Sequence, residues 1–390
     1  MTLRGEPLSR ATLKASIGLI AYTYAGYPAL LWGWSRLRPR PTDEPLDRMP
    51  SVSLIVAAYN EEAVIERRLE NLAELTYPPD RLEVLVVADG SDDRTAELAR
   101  ARGARVLHRP QRLGKAAALD RGVAASTGET VVFSDANNLY PPDTLQRLLA
   151  PFADASVGVV TGAKRIVDDL DRDLDRAEGL YWRYEDAIKR WESNLASVTG
   201  VAGEIIAVRR EVYRPLPAGT VNDDFTMAMQ AAISGWRIAY AHDAVSLEPA
   251  SASLDDEATR RARIVSGRYQ ALARLLPLLA RRRPLLAWQV VSHKGLRPLV
   301  PIAMVAAALS NAALVRQSRP ARWLATGQAV FYGLAAVGAW SERRGGRSTT
   351  TYLPYYLCRV NAAALRGMWE YVTRRDVTLW TRVRRGDESG

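Results

Sequence analysis

Asp135 and Asn137 stand two positions apart at the end of a short apolar run, in Val131-Val132-Phe133-Ser134-Asp135-Ala136-Asn137-Asn138. A β-branched and aromatic run of this length reads as a buried strand, and the ligand crevice of an open α/β sheet lies just beyond the carboxyl ends of its strands. An extended turn there aims both oxygen-bearing side chains at one point, which suits a hard divalent cation carrying phosphate oxygens. The competing reading is an ordinary polar turn. The rest of the chain has to decide between the two.

Two further segments have the same form. Ala57-Ala58-Tyr59-Asn60-Glu61-Glu62 and Ala88-Asp89-Gly90-Ser91-Asp92-Asp93 each follow a strand-like run and precede a helical one. Asp89, at the strand end, can accept hydrogen bonds from a base or a ribose. Ser91 or Asp92 either caps the following helix or belongs to the crevice. Lys115 follows Gly114 at the start of a helix, where an ammonium and the positive helix end both favour a phosphate; a solvated lysine is the alternative. Further on, Gly200-Val201-Ala202-Gly203-Glu204 reads as a flexible loop. Asp223 and Asp224 lie before a helix, either as caps or with one of them as a general base toward an attacking hydroxyl. Over 257–270, Arg260, Arg263 and Gly267 recur at helical spacing. These arginines either form a solvated basic face or grip a diphosphate bidentately.

The elements that must position these residues alternate along the chain. Residues 52–58 and 82–88 are β-rich runs, 61–75, 92–102 and 115–125 carry helical periodicity, and 131–134 is strand again. Such alternation implies an α/β domain built on a mostly parallel sheet with helices on both faces. The helix expected over 179–197 has mixed faces and reads as a half-buried element of the same domain.

Flanking stretches have a different character. Residues 15–35 are mostly apolar and uncharged, with Tyr22, Tyr24, Tyr27, Trp32 and Trp34 suited to a membrane interface and Arg36, Arg38 and Arg40 following. A retained anchor and a cleaved signal peptide compete here, and the bulky residues at the end of the run favour the anchor. Residues 298–315 and 323–340 are again of spanning length, with two buried core helices as the competing reading. Residues 352–372 carry Arg359 and Arg366, which points to an interfacial or re-entrant helix. The expected organisation is a tail (1–14), a span (15–35), a linker (36–50), a cytoplasmic domain (51–290), two spans, the interfacial helix and a basic cytoplasmic tail (373–390).

Composition narrows the classes. The 390 residues are 48% hydrophobic and 25% charged, with a mean hydropathy of −0.15, which excludes wholesale disorder. One cysteine, Cys358, excludes a disulfide framework or a cysteine-rich zinc site, and three scattered histidines outline no metal cluster. The net charge of +10 is accounted for largely by arginines flanking the apolar stretches. No basic stripe interleaved with aromatics suggests nucleic acid as a partner.

In order, YNEE, ADGSDD, GKAAAL, SDANN, NDD and RRARIVSGRYQ resemble the motifs of membrane-bound family 2 glycosyltransferases, the inverting group that includes cellulose, hyaluronan and chitin-type synthases. The resemblance covers about residues 50–300. It implies a GT-A fold, a nucleotide-sugar donor that is usually a UDP-sugar, Mg²⁺ or Mn²⁺, and transfer to a glycan, lipid or exported polysaccharide at the plasma membrane, with membrane lipids and polysaccharide-export proteins as partners. By position, Asp89 contacts the nucleotide, Tyr59 and Glu61 line the base pocket, and Lys115 lies nearby. The resemblance likewise implies that Asp135 and Asn137 hold the metal-diphosphate, that Asp224 is the catalytic base with Asp223 beside it, and that Arg263 neutralises the leaving diphosphate.

Three positions depart from the pattern. Asn137 replaces an acid, Arg260 stands where processive members have Gln, and Ile264 replaces a Trp beside the acceptor sugar, which argues against processive polymerisation. Two other classes share parts of this logic: a nucleotidyltransferase releasing pyrophosphate, and a membrane-tethered regulator that binds a nucleotide sugar without consuming it.

Overall fold

The structure is a computed structural model that describes residues 6–37, 46, 48–166, 173–248, 254–344 and 348–373. Most of the linker expected over 36–50, and all but the first residue of the tail over 373–390, lie outside the described residues.

Seven strands form one sheet: β1 (Val52–Ala58), β2 (Leu82–Asp89), β3 (Arg105–Arg109), β4 (Thr130–Asp135), β5 (Val157–Ile166), β6 (Ile206–Arg209) and β7 (Arg237–Glu248), in the order β3-β2-β1-β4-β6-β5-β7. The pairs β3-β2, β2-β1, β1-β4 and β5-β7 are parallel, while β6 runs antiparallel to both β4 and β5. The sheet is therefore mixed, and mostly parallel as the alternating pattern implies.

Alternate side chains feed two cores, one on each face. Ile55, Leu85, Val87, Val131 and Phe133 pack with Leu119 and Met229, while Leu54, Val56, Val86 and Val132 pack with Ile65, Leu69 and Leu148. Burial on both faces explains why these strands read as continuous apolar runs. The carboxyl ends of β1, β2 and β4 come level, with Ala57 opposite both Val87 and Asp135.

A buried cation fixes the end of β4. Arg68, on the helix Ile65–Ala73, is fully buried. It donates to Ser134 Oγ at 2.7 Å and to Asn71 Oδ1 at 2.8 Å, with its guanidinium 4.1 Å over the Tyr140 ring. Arg68→Ala would leave Ser134 Oγ buried beside a void without this donor, while Asn71 Oδ1 keeps the Tyr140 N–H at 2.8 Å. The expected loss is about 3 kcal/mol of stability, seen as a lower melting midpoint of the detergent-purified protein. An unchanged midpoint would refute this role.

The flanking stretches are helical. Glu6–Ala21, a π-helical turn at Tyr22–Gly26 and Tyr27–Leu37 follow one another. The region expected as an anchor over 15–35 is in part packed against the protein, because Tyr27 and Leu31 are fully buried against Ile188 and Leu195 of the helix Asp173–Leu195. Leu30, Trp32 and Trp34 remain exposed. One helical run among the described residues, Pro284–Leu314, is long and apolar enough to cross a membrane, with a mean hydropathy of 1.4. The stretches expected over 323–340 and 352–372 fall within the helices Arg319–Arg343 and Thr349–Val372. The second of these packs on the helix Leu254–Arg282, where a Cβ on Gly367 would lie 2.3 Å from the Ala262 carbonyl oxygen.

Candidate active site

The loops after β1 and β2 are tied together. Asn60 adopts a left-handed φ of 54°. Its backbone N–H donates to Ser91 Oγ at 3.1 Å and its Nδ2 to Asp92 Oδ1 at 2.7 Å. Ser91 and Asp92 thus join the two loops and do not cap the next helix. Arg94 holds the N-cap position of that helix, and just before it Asp93 Oδ1 accepts from the Thr95 N–H at 3.0 Å. Glu61 is buried, its N–H donating to Thr95 Oγ1 at 2.8 Å.

Asp89 organises the next loop. Its Oδ2 accepts from the Leu113 N–H at 3.0 Å and the Gly114 N–H at 2.7 Å, and its Oδ1 accepts from Arg121 Nη2 at 2.7 Å. The carboxylate expected to meet a base or ribose is therefore also the anchor of the turn that presents Lys115. Gly114 needs its hydrogen side chain there, with φ at 92°. Tyr59, Asp89, Arg112, Gly114, Lys115 and Asp135 line one cleft.

At the β4 end of the cleft the charges converge. Lys115 Nζ lies 2.7 Å from Asp135 Oδ1 and 3.9 Å from Asp223 Oδ2. Burial works against the ammonium, but the two carboxylates outweigh it and raise its pKa. Asn137 Nδ2 donates to Glu248 Oε1 at 3.4 Å. Glu248 also pairs with Lys164 and lies 3.9 Å from Arg260, while Lys164 reaches Glu204 at 3.9 Å.

No group of three or more His, Cys, Asp or Glu side chains able to hold a metal occurs among the described residues. The protein's own offering is Asp135 with Asn137 beside it. Hard oxygen donors so few in number fit Mg²⁺ or Mn²⁺ in the mode in which one or two carboxylates share the ion with waters and substrate phosphates.

The third group sits at the start of the helix Asp223–Ile233. Asn222 holds the N-cap position, so Asp223 and Asp224 belong to the first turn. Asp224 Oδ1 accepts from the Phe225 N–H at 2.6 Å. Burial, then Asp223, pushes the Asp224 carboxyl up to about 7 against the opposing pull of Lys115.

Two glycines allow the close packing. A Cβ on Gly203 would stand 3.2 Å from Asp224 Cβ, and one on Gly267 would stand 2.8 Å from Val221 Cβ. The second contact seats the helix Leu254–Arg282 against the approach to Asp223, and Arg263 lies one turn before it. Burial lowers the Arg263 pKa, while Asp223, Asp135 and Asp224 lie close enough to favour its charge. Ile264 follows it, half-buried.

The structure thus gathers Tyr59, Asp89, Lys115, Asp135, Asp223, Asp224 and Arg263 around one crevice, with Asn137 and Arg260 joined through Glu248 at its edge. Sequence reasoning missed Arg112, Arg121, Lys164, Glu204 and Glu248. Glu204 ends a glycine loop with no local sign of a role, and Lys164 and Glu248 sit in strands whose pairing no local pattern reveals.

Residues 53–216 match the family model described as glycosyl transferase family 2. The chain is 30% identical over 185 residues to the probable glycosyltransferase YdaM of Bacillus subtilis, covering 44% of this chain and 44% of that protein. It is 32% identical over 203 residues to a beta-monoglucosyldiacylglycerol synthase of Synechocystis, covering 48% and 42%. The chain thus spans less than half the length of these curated relatives. Its fold superposes on a mannosyltransferase of Pyrobaculum calidifontis in complex with GDP-Man and Mn²⁺, with a TM-score of 0.69, 25% identity and coverage of 93% and 99%.

Proposed function

We propose, from the premise that residues 53–216 form a glycosyl transferase family 2 domain, that this chain is an inverting glycosyltransferase. It moves a sugar from a nucleoside diphosphate donor, by the motif resemblance a UDP-sugar, to a lipid or glycan hydroxyl at the membrane. The observation that carries the reading is the approach of Lys115 to both Asp135 and Asp223 at the carboxyl ends of the parallel strands, with Arg263 beside them.

In the reaction, Asp224 takes the proton of the acceptor hydroxyl, whose oxygen bonds to the anomeric carbon as the bond from that carbon to the diphosphate oxygen breaks. One displacement inverts the centre and releases a nucleoside diphosphate. Lys115 and Arg263 face the charge that develops on the leaving group. Asp135 with Asn137 would hold a divalent cation, which when bound would supply further charge neutralisation there.

The apolar run Pro284–Leu314, with the exposed Trp323, Val330, Val337 and Trp340 of the helix Arg319–Arg343, fits a multi-pass arrangement, and the arginines flanking the apolar stretches are the reason for proposing the catalytic domain at the cytoplasmic face. Ile264 and Arg260 favour transfer of one sugar or a short chain over processive synthesis.

The test is release of nucleoside diphosphate by the detergent-purified protein from a panel of nucleotide sugars, with Mn²⁺ or Mg²⁺ and with EDTA. Metal-dependent release from one donor supports the reading, and pyrophosphate as the product would replace it with nucleotidyl transfer.

The pH profile gives a second check. A general base works only when ionised, and burial together with Asp223 raises Asp224 to about 7. The rate is therefore expected to fall as pH drops through about 7, well above the range of an ordinary aspartate. A rate that stays flat down to the ordinary carboxylate range would remove Asp224 from this role.

A further inference from the structure

We propose that Arg112 selects the nucleobase of the donor, accepting keto bases (uracil, guanine) and rejecting amino bases (cytosine, adenine), an inference that rests on the donor site proposed above. Arg112 belongs to the loop between β3 and the helix Lys115–Ala125, and it lines the same cleft as Lys115 and Asp135. Its guanidinium carbon lies 3.6 Å from the centroid of the Tyr59 ring, so the two planar groups share one wall. Its Nη2 is buried and has no hydrogen-bond partner among the described residues.

The backbone that presents it is closely held. Gly90 has a φ of 74° and abuts the loop so tightly that a Cβ there would stand 2.6 Å from Arg112 Cβ. Just past Arg112, Asp89 Oδ2 accepts the N–H groups of Leu113 and Gly114. The guanidinium is thus placed by both neighbours of its loop.

The sheet order decides which end of a donor Arg112 meets. Lys115, Asp135, Asp223 and Arg263 gather beside β4 and mark the diphosphate end. Arg112 and Tyr59 belong to the β1-β2-β3 side, which leaves them the base. A guanidinium only donates, and a buried donor without an acceptor costs stability until a ligand supplies one. Uracil O4 and guanine O6 are acceptors, whereas cytosine N4 and adenine N6 carry hydrogens at the corresponding position. A fixed donor facing an amino group leaves both unsatisfied.

Calorimetric titration in Mn²⁺ tests this with UDP, GDP, CDP, ADP and base-free pyrophosphate, on the wild type, Arg112→Met and Arg112→Lys. The wild type is expected to bind UDP or GDP roughly tenfold or more tighter than CDP and ADP. Arg112→Met, which keeps much of the stem against Tyr59, should erase that preference and leave pyrophosphate affinity unchanged. Arg112→Lys keeps the charge but loses the planar fork, and should fall between the two.

A wild-type preference for CDP or ADP, an equal loss of pyrophosphate affinity, or an intact keto preference in both variants would each overturn the assignment. Failure of the wild type to bind any nucleoside diphosphate would overturn the donor site itself. A wild type that binds and discriminates, beside variants that still discriminate, would overturn only the role of Arg112.

Discussion

Asp224→Asn is expected to lower kcat by roughly two to four powers of ten, the usual worth of a positioned general base, while nucleoside diphosphate affinity stays near that of the wild type. The substitution keeps the side-chain shape, and its amide oxygen can still accept the Phe225 N–H that Asp224 accepts at 2.6 Å. What it removes is basicity. Asp224 is pushed up to about 7 by burial and by Asp223, which places its proton affinity where a carboxylate can take a hydroxyl proton near neutral pH.

Affinity should change little because the diphosphate is met by Lys115 and Arg263. Removing a negative charge beside a bound anion, if anything, favours binding. Single-turnover transfer read beside calorimetric binding separates the two quantities. A variant that transfers at the wild-type rate would end the assignment, and one that loses nucleotide binding together with rate would place Asp224 in the donor pocket.

The strands were legible because both faces of the sheet are covered, which leaves runs such as 52–58 and 131–134 apolar without alternation. The helix Lys115–Ala125 was legible from its glycine start. Helix starts elsewhere were not. The helix expected over 61–75 begins at Ile65, because Asn60 turns left-handed and the Glu61 carbonyl accepts from both Val64 and Ile65. The helix expected over 92–102 begins at Thr95, because Asp93 holds the Thr95 N–H in a turn and Arg94 takes the N-cap position.

The antiparallel β6 follows directly on the glycine loop and gives no local sign of its direction, which is set by distant partners, Thr130–Phe133 in β4 and Val159–Thr161 in β5. The site divides in the same way. Asp135 and Lys115 announce themselves through strand ends and helix starts. Lys164, Glu204 and Glu248 meet only through pairing between distant strands, and Arg112 matters because Tyr59 lies under it. The stretch over 15–35 was legible as apolar, but the burial of Tyr27, whose hydroxyl donates to Glu192 at 2.5 Å, depends on a helix more than 150 residues further along.

Asp135→Ala is expected to abolish the gain in nucleotide affinity that Mn²⁺ confers and to lower kcat by on the order of a thousandfold, since a bound cation supplies several kcal/mol of charge stabilisation to a transferring group. The distinctive part is what remains without metal. In the structure Lys115 Nζ lies 2.7 Å from Asp135 Oδ1, so part of its charge is spent on that carboxylate. Removing Asp135 frees the ammonium for phosphate, although Asp223, 3.9 Å away, still attracts it.

Metal-free affinity for a nucleoside diphosphate should therefore equal or exceed that of the wild type in EDTA, even as the Mn²⁺-dependent increment disappears. Lys115→Met should show the opposite pattern, with weaker nucleotide binding in EDTA and a metal increment that survives. A cation held elsewhere would leave the increment intact in Asp135→Ala. A lysine that merely fills space would leave EDTA affinities equal in all three proteins. The crossed pattern requires that Asp135 hold the metal and that Lys115, now beside it, bind the phosphate.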